Sequence, residues 1–267
     1  MPFTTLTPDQ IAAYHRDGFI IIPQLLDAAD VKLLSRVARA DRASLTTAAS
    51  RADGEGGAIR LRVENELADD IYSAIVRSEP LVKAMEQLLG GEVYHYHHKM
   101  IYKDPRTGGA WAWHQDYGYW YHNGCLFPRL ASCLIAVDRA TKVNGCLQVL
   151  KGSHLLGRVD HTQVGEQTGA DPERVQVAVE RLELVHVELA PGAAVLFHCN
   201  LLHRSDQNQS DAPRWAFICC YNAAANDPYK ESRHPRYSRL EKWPYDRIRE
   251  VGERQLARLQ AASMAAQ

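Results

Sequence analysis

The sequence has almost no net charge. Its 31 Lys and Arg face 32 Asp and Glu over 267 residues, a formal charge of −1. No long run of either sign interrupts that balance, so nucleic-acid and membrane-surface binding gain no electrostatic support. Long apolar runs are also missing: nothing approaches the roughly 18 residues that a membrane-spanning helix needs. The opening Met1-Pro-Phe-Thr-Thr5 lacks the basic and then apolar segments of a signal peptide, and none is expected. Six cysteines occur, at 125, 133, 146, 199, 219 and 220, with no C-x-x-C among them. Buried, reduced thiols in a cytoplasmic protein are therefore expected, not a disulfide framework or structural zinc. The glycine-rich Asp53-Gly-Glu-Gly-Gly57 has no G-x-x-x-x-G-K-[ST] context, so 46–60 reads as a mobile surface loop, not a phosphate cradle.

What remains is an ordinary globular composition, 46% hydrophobic and 24% charged. No repeat or linker divides the chain, which reads as one domain over 1–267. Residues 1–90 form a mostly helical flank, 91–222 a β core, and 223–267 a loop and helix. Thr7-Pro-Asp-Gln10 is a capping box with Pro at the first helical position, and the helix should stop at Gly18. Phe19 to Ile22 reads as a buried strand, and Asp27 as the cap of a second helix. Helices are expected over Asp69–Arg77 and Pro80–Leu89, with Ser78 capping the latter. Past Gly90 the texture changes to short β-branched, aromatic and aliphatic runs: 92–103, 130–138, 146–150, 182–189, 193–199 and 214–222. Turn signals such as Asn144-Gly145 and Pro191-Gly192 separate them. Many short strands after a helical start predict an antiparallel double sheet or barrel with helices outside, hence a mainly β fold with flanking helices.

The densest chemistry lies in Gly108 to His122, around Trp113-His-Gln-Asp116. On an extended strand His114 and Asp116 would share a face, two thirds of a metal site open to substrate. His154, His161, His186, His198 and His203 are the candidates for a third ligand. His186 alternates with Val185 and Val187, while His198 and His203 both follow the strand Ala193 to Phe197. Eleven positions beyond His203, Arg214 enters the apolar run Trp-Ala-Phe-Ile-Cys-Cys. A buried guanidinium needs a partner, and a small dicarboxylate held bidentately would be one; a surface carboxylate would be another.

His114-x-Asp116, His203 and Arg214, in that order, resemble the phytanoyl-CoA dioxygenase family of iron(II)- and 2-oxoglutarate-dependent oxygenases. Asn144 to His154 resembles the family's hairpin segment, His203 to Arg214 its distal-histidine segment, and Leu6 to Pro23 its N-terminus. The resemblance implies a double-stranded β-helix (a jelly roll) with His114, Asp116 and His203 as iron ligands. It implies 2-oxoglutarate and O2 as cosubstrates, with Arg214 holding the distal carboxylate and Ser205 assisting. Ser132 matches a position with a cosubstrate-facing hydroxyl, and Lys99 could reach a carboxylate of cosubstrate or substrate. Relatives that halogenate lack the carboxylate ligand, so a retained Asp116 implies hydroxylation or another oxidation. Trp113 to Trp120 is similar to the matching stretch of ectoine hydroxylases. Those enzymes carry Gln and Asn where this chain has His97 and Ile101, which argues against ectoine as substrate.

A small, polar substrate is expected, with Trp120 and Tyr117 walling its pocket and the late-loop residues Arg233, His234 and Arg236 recognising an anion. The sequence carries no signal for oligomeric state. Two rival readings make different demands. A zinc hydrolase would use the same triad without O2 and leave Arg214 idle; a silent ligand-binding jelly roll would have degraded ligands.

Overall fold

The computed structural model of the protein describes residues 3–265. Helix α1 (Pro8–Asp17) opens on a complete capping box between Thr7 and Gln10 and ends at Gly18, whose φ of 85° suits glycine. Strand β1 (Phe19–Ile22) leads to helix α2 (Ala28–Ala40), capped by Asp27. Helix α3 (Arg42–Thr47) then precedes strands β2 (Ala49–Ala52) and β3 (Ala58–Glu64), which pair with each other. The loop expected over 46–60 is thus a β-hairpin, and its glycine-rich stretch is the turn. Apolar periodicity could not announce it, because the turn is held by one carboxylate. Asp53 accepts from the backbone N–H groups of Glu55, Gly57 and Ala110 and from the Gln207 amide, at 2.7–2.9 Å.

Helices α4 (Ile71–Arg77) and α5 (Glu79–Leu89) complete the first third. Asp70 caps α4. Ser78 sits at the start of α5 but does not cap it: its hydroxyl donates back to the Ile75 carbonyl, the last turn of α4 having the nearer acceptor. After β4 (Val93–Lys103) and β5 (Trp111–His114) comes a five-residue helix, α6 (Asp116–Trp120). Strands β6 (Leu130–Ala136), β7 (Leu147–Leu150), β8 (His161–Val164) and β9 (Gln167–Ala170) follow, then helix α7 (Pro172–Arg181). The core closes with β10 (Leu184–Val187), β11 (Ala194–His198), β12 (His203–Ser205) and β13 (Arg214–Ala223), and α8 (Arg247–Ala265) ends the described chain.

The strands form a seven-stranded sheet in the order β1-β11-β6-β13-β4-β3-β2, facing a four-stranded sheet ordered β10-β7-β12-β5, with β8 and β9 as a separate hairpin. Every paired strand is antiparallel. This is the jelly roll expected, with the N-terminal flank contributing three strands to its larger sheet. Strand β13 is buried along its whole length because both faces are covered. Its Trp215, Phe217, Cys219 and Tyr221 join the cluster made with the helices, whereas Ala216, Ile218 and Cys220 join the cluster between the sheets. All six cysteines are free and buried.

One irregularity shapes the interior. The β13–β4 register passes from Cys220↔His97 to Tyr221↔His95, leaving Tyr96 as an extra residue in β4. A bulge re-aims side chains. Here the rings of both Tyr96 and His97 contact Trp120 and His234.

The Asp53 clamp makes a testable contribution. Asp53→Ala leaves three backbone donors and one amide without their acceptor, and urea melts should show a loss of about 2 kcal/mol at pH 7. Burial raises the Asp53 pKa, but the bonds from Gln207, Ala110, Glu55 and Gly57 outweigh it and leave a net lowering. A lowered folded pKa stabilises above the unfolded value of about 3.9 and is lost as pH falls through the folded one, so the gap between wild type and variant should shrink below about pH 4.

Candidate metal centre and its two cavities

Strand β5 ends on His114 and β12 begins on His203, and the two are direct cross-strand partners with ring centroids 4.0 Å apart. Each imidazole is held by a carbonyl two residues back in its own segment: His114 Nδ1 lies 2.8 Å from Ala112 O, and His203 Nδ1 2.9 Å from Leu201 O. A proton kept on Nδ1 for that bond leaves Nε2 with its lone pair, the form that binds a metal. Burial pushes the pKa of His114 well down, aided by the neighbouring His203, and burial likewise lowers that of His203. Both imidazoles are therefore held towards the neutral form, the one that could bind a metal.

Asp116 arrives differently from the strand-face expectation. The chain leaves the strand at Gln115, and Asp116 is the first residue of α6. Its Oδ1 lies 4.0 Å from His203 Nε2, and its Oδ2 accepts from the Ser132 hydroxyl at 2.8 Å. One ligand atom from each of His114, Asp116 and His203 falls within 4.8 Å of the others, the only such trio among the described residues. Gln115 fixes the turn. Wholly buried, it donates to the carbonyls of Gly157 and Asn200 and accepts from Val159 N–H. The Gln115 N–H donates to His161 Nε2 at 3.0 Å, and a Cβ at Gly118 would overlap that imidazole. His161, a candidate third ligand in the sequence, instead accepts from Gln115, and nothing in the sequence singled out the positioning role of either residue. Of the other candidate ligands, His198 accepts from Asn200 N–H, and His154 lies 3.0 Å from the His15 carbonyl. Two neutral imidazoles and one carboxylate suit iron(II), and three donors leave positions open for reactants.

Below the triad, a cavity of about 60 Å³ leads to Arg214, Lys103 and Ser205. Arg214 and Lys103 are opposite each other on the β13–β4 ladder and are buried, at 4% and 0% exposure. Arg214 donates to the Gly145 carbonyl, but its buried Nε has no partner. The Lys103 ammonium donates to the Ser205 hydroxyl at 2.9 Å and to the Asp206 carbonyl. Burial lowers the Arg214 pKa to about 10; burial and then the facing Arg214 push that of Lys103 well down. Two buried cations and an unused guanidinium N–H describe a seat for a carboxylate. Lys103 was missed in the sequence, although it shares strand parity with Lys99 four residues earlier.

Above the triad lies a larger cavity of about 740 Å³, and Lys99, Trp111, His114 and Asp116 line both. Trp120 lines this outer cavity. Tyr117 and Arg236 do not. Tyr117 turns into the core, its hydroxyl donating to the carbonyls of Cys125 and Leu126, because a phenol buried to 3% must find acceptors. Arg236 is drawn away from the cavity by Asp227 and Glu231, while Arg233 and His234 of the same loop line it. The Ser132 hydroxyl donates to Asp116, its strong acceptor in this structure. The hairpin residues Arg51 and Glu166 complete the charged wall, and no motif announced them.

The sequence model of the family described as "Phytanoyl-CoA dioxygenase (PhyH)" matches residues 14–216. The chain is 30% identical over 247 residues to an L-proline trans-4-hydroxylase of Streptomyces griseoviridis, covering 85% of this chain and 90% of that one. It is 29% identical over 248 residues to an ectoine dioxygenase of Bordetella parapertussis, covering 86% and 80%. Among solved structures, EctD from S. alaskensis with 2-oxoglutarate and 5-hydroxyectoine superposes with a TM-score of 0.76 at 26% identity, covering 90% of this chain and 89% of that one.

The Ser132 bond to Asp116 supplies a prediction. Outer hydrogen bonds typically contribute 10–100-fold to metal affinity. Ser132→Ala should weaken Co(II) binding, followed by calorimetry, by about tenfold or more.

Proposed function

Because the chain belongs to the phytanoyl-CoA dioxygenase family and is an iron(II)- and 2-oxoglutarate-dependent oxygenase, we propose roles for its residues and a class for its substrate. His114, Asp116 and His203 hold iron. Arg214 and Lys103, with Ser205, seat the distal carboxylate of 2-oxoglutarate. The observation that carries this reading is that one narrow cavity is lined both by the three donors and by the two buried cations. Bound there, iron and 2-oxoglutarate supply the oxidising chemistry: O2 is consumed, the cosubstrate becomes succinate and CO2, and a substrate C–H becomes C–OH. The chain orients the reactants and excludes water around them. Ser132 and Gln115 keep Asp116 turned towards the metal.

The substrate is a small polar molecule bearing a carboxylate. In its support, the outer cavity sets Arg51, Lys99 and Arg233 against a single additional carboxylate, Glu166, and none of these three cations has an ion-pair partner among the described residues. Trp120 packs edge-on to His97 and forms the floor. The relatives' names concern proline and ectoine, and His97 and Ile101, in place of Gln and Asn, favour the former kind of ligand over the latter. Six buried thiols fit a reducing compartment, and the cytoplasm is proposed. No described helix is long and apolar enough to cross a membrane.

His203→Ala should abolish substrate-dependent succinate formation; ordinary turnover by that variant would overturn the ligand assignment, and turnover without O2 would favour a hydrolase. Lys103→Met should raise the KM for 2-oxoglutarate about tenfold or more, equivalent to about 1.4 kcal/mol. Because the folded Lys103 pKa is lowered, wild-type affinity for 2-oxoglutarate should fall as pH rises through it, and Lys103→Met should flatten that profile.

A further inference from the structure

The face of β4 turned away from the triad carries a second polar cavity, of about 240 Å³, bounded by β3, residues 64–70 and Gln255 of α8. Asp41, Glu64, Glu66 and Asp70 line it, and among the described residues Arg62, which pairs with Glu64, is the one guanidinium in its wall. Such clusters are ordinarily solvated and mean nothing more. Two buried groups set this one apart. His98, 3% exposed, has its Nδ1 3.0 Å from His95 Nε2, while its own Nε2 has no partner. Tyr72, 7% exposed, lines the same cavity, and its hydroxyl has none either. Burying a polar atom without a partner is unfavourable, so this pair offers two acceptors suited to a ligand's donors.

We propose that this cavity binds a small protonated alkylamine, a diamine or polyamine. One ammonium would donate to His98 Nε2 and the Tyr72 oxygen, and the rest of the cation would lie along Glu64, Glu66 and Asp70. An ammonium offers three donors and no acceptor, the complement of a wall made of carboxylates, a phenol oxygen and an imidazole lone pair. His98 has that lone pair in the tautomer whose Nδ1–H donates to His95. A metal ion is the poorer fit, because the carboxylates and His98 do not converge: among the described residues only the iron triad brings three such atoms within 4.8 Å. Spread-out acceptors suit an extended cation.

The cavity also has a route to the catalytic side. Glu64 and Glu66 flank Asn65, which lines the outer cavity. Asn65 donates to the Arg233 carbonyl at 2.7 Å, and its oxygen lies 3.1 Å from His234 Nδ1. On β4, His97 and Lys99 flank His98 and line that same outer cavity. An amine held by Glu64 and Glu66 would therefore bear on the segment that anchors the late loop over the substrate, making this an effector site.

The test is calorimetric titration of putrescine and spermidine into the full chain, with Glu66→Gln and, as a surface control, Glu173→Gln. Saturable binding that falls about tenfold in Glu66→Gln and is unchanged in Glu173→Gln supports the site. Absence of saturation up to about 10 mM, or equal weakening in both variants, overturns it. Tighter binding of Mg(II) or Zn(II) than of either amine at this cavity overturns the ligand class. The binding arm does not involve iron or turnover, so it stands apart from the proposed function. The effector role predicts that putrescine changes substrate-independent succinate formation in wild type and leaves Asn65→Ala unchanged although it still binds the amine. An equal response in both overturns the coupling.

Discussion

Two positive side chains, Arg214 and Lys103, face each other across a ladder in the protein interior with no carboxylate between them. The effective penalty for burying a charge is several kcal/mol per ion even after relaxation, and here two like charges share one wall. The surrounding acceptors are neutral: the Gly145 and Asp206 carbonyls and the Ser205 hydroxyl. Such an arrangement is poorly compensated until an anion enters. A hydrophobic pair at these positions would satisfy the sheet at least as well, so folding alone gives no reason for the cations, whereas the proposed anion would. The short cavity then fixes the length of that anion, because its other end opens on the triad.

The larger sheet can host this site because its central strands are covered on both sides. Along β13 one set of alternate residues packs on helices and the other faces the sheet interior. The bulge at Tyr96 adds a second device on β4. It allows Tyr96 and His97 both to meet Trp120 and His234, while His95 and His98 contact each other within 3.0 Å. A regular strand would give alternate residues to alternate faces. One extra residue thus brings two consecutive rings to the substrate side and two histidines together.

Much of this was legible in the sequence because it rests on local rules. The capping box of α1, the Asp27 cap and the strand runs after Gly90 follow from residue type and period. The triad was legible through the order and spacing of His114, Asp116 and His203, aided by a family resemblance. What escaped depends on tertiary partners. The 46–60 segment looked like a loop because its hairpin is held by Asp53, whose partners Ala110 and Gln207 are remote in sequence. Tyr117 and Tyr119 look alike as text, yet one donates to the carbonyls of Cys125 and Leu126 and the other lines the cavity. Arg233 and Arg236 differ only in which one finds Asp227 nearby. Aromatic and charged residues near a motif advertise a pocket without saying which of them face it.

The division of labour follows from which segments are rigid. The triad and the cation pair sit on or beside strands of the two packed sheets, where neighbouring strands fix backbone position. Much of the outer cavity's wall comes instead from the tips of two hairpins and the late loop, segments more tolerant of change in sequence than the sheet interior. They are nonetheless tied to the metal strand. The Gln167 amide donates to the carbonyls of Ala52 and Ala110 and accepts from Ala112 N–H, joining β9 and the β2 hairpin to β5. His114 follows Ala112 by two residues and is oriented by its carbonyl. Selectivity can therefore vary through residues such as Arg51 and Glu166 while the distance from those walls to the reacting face stays set by one amide side chain.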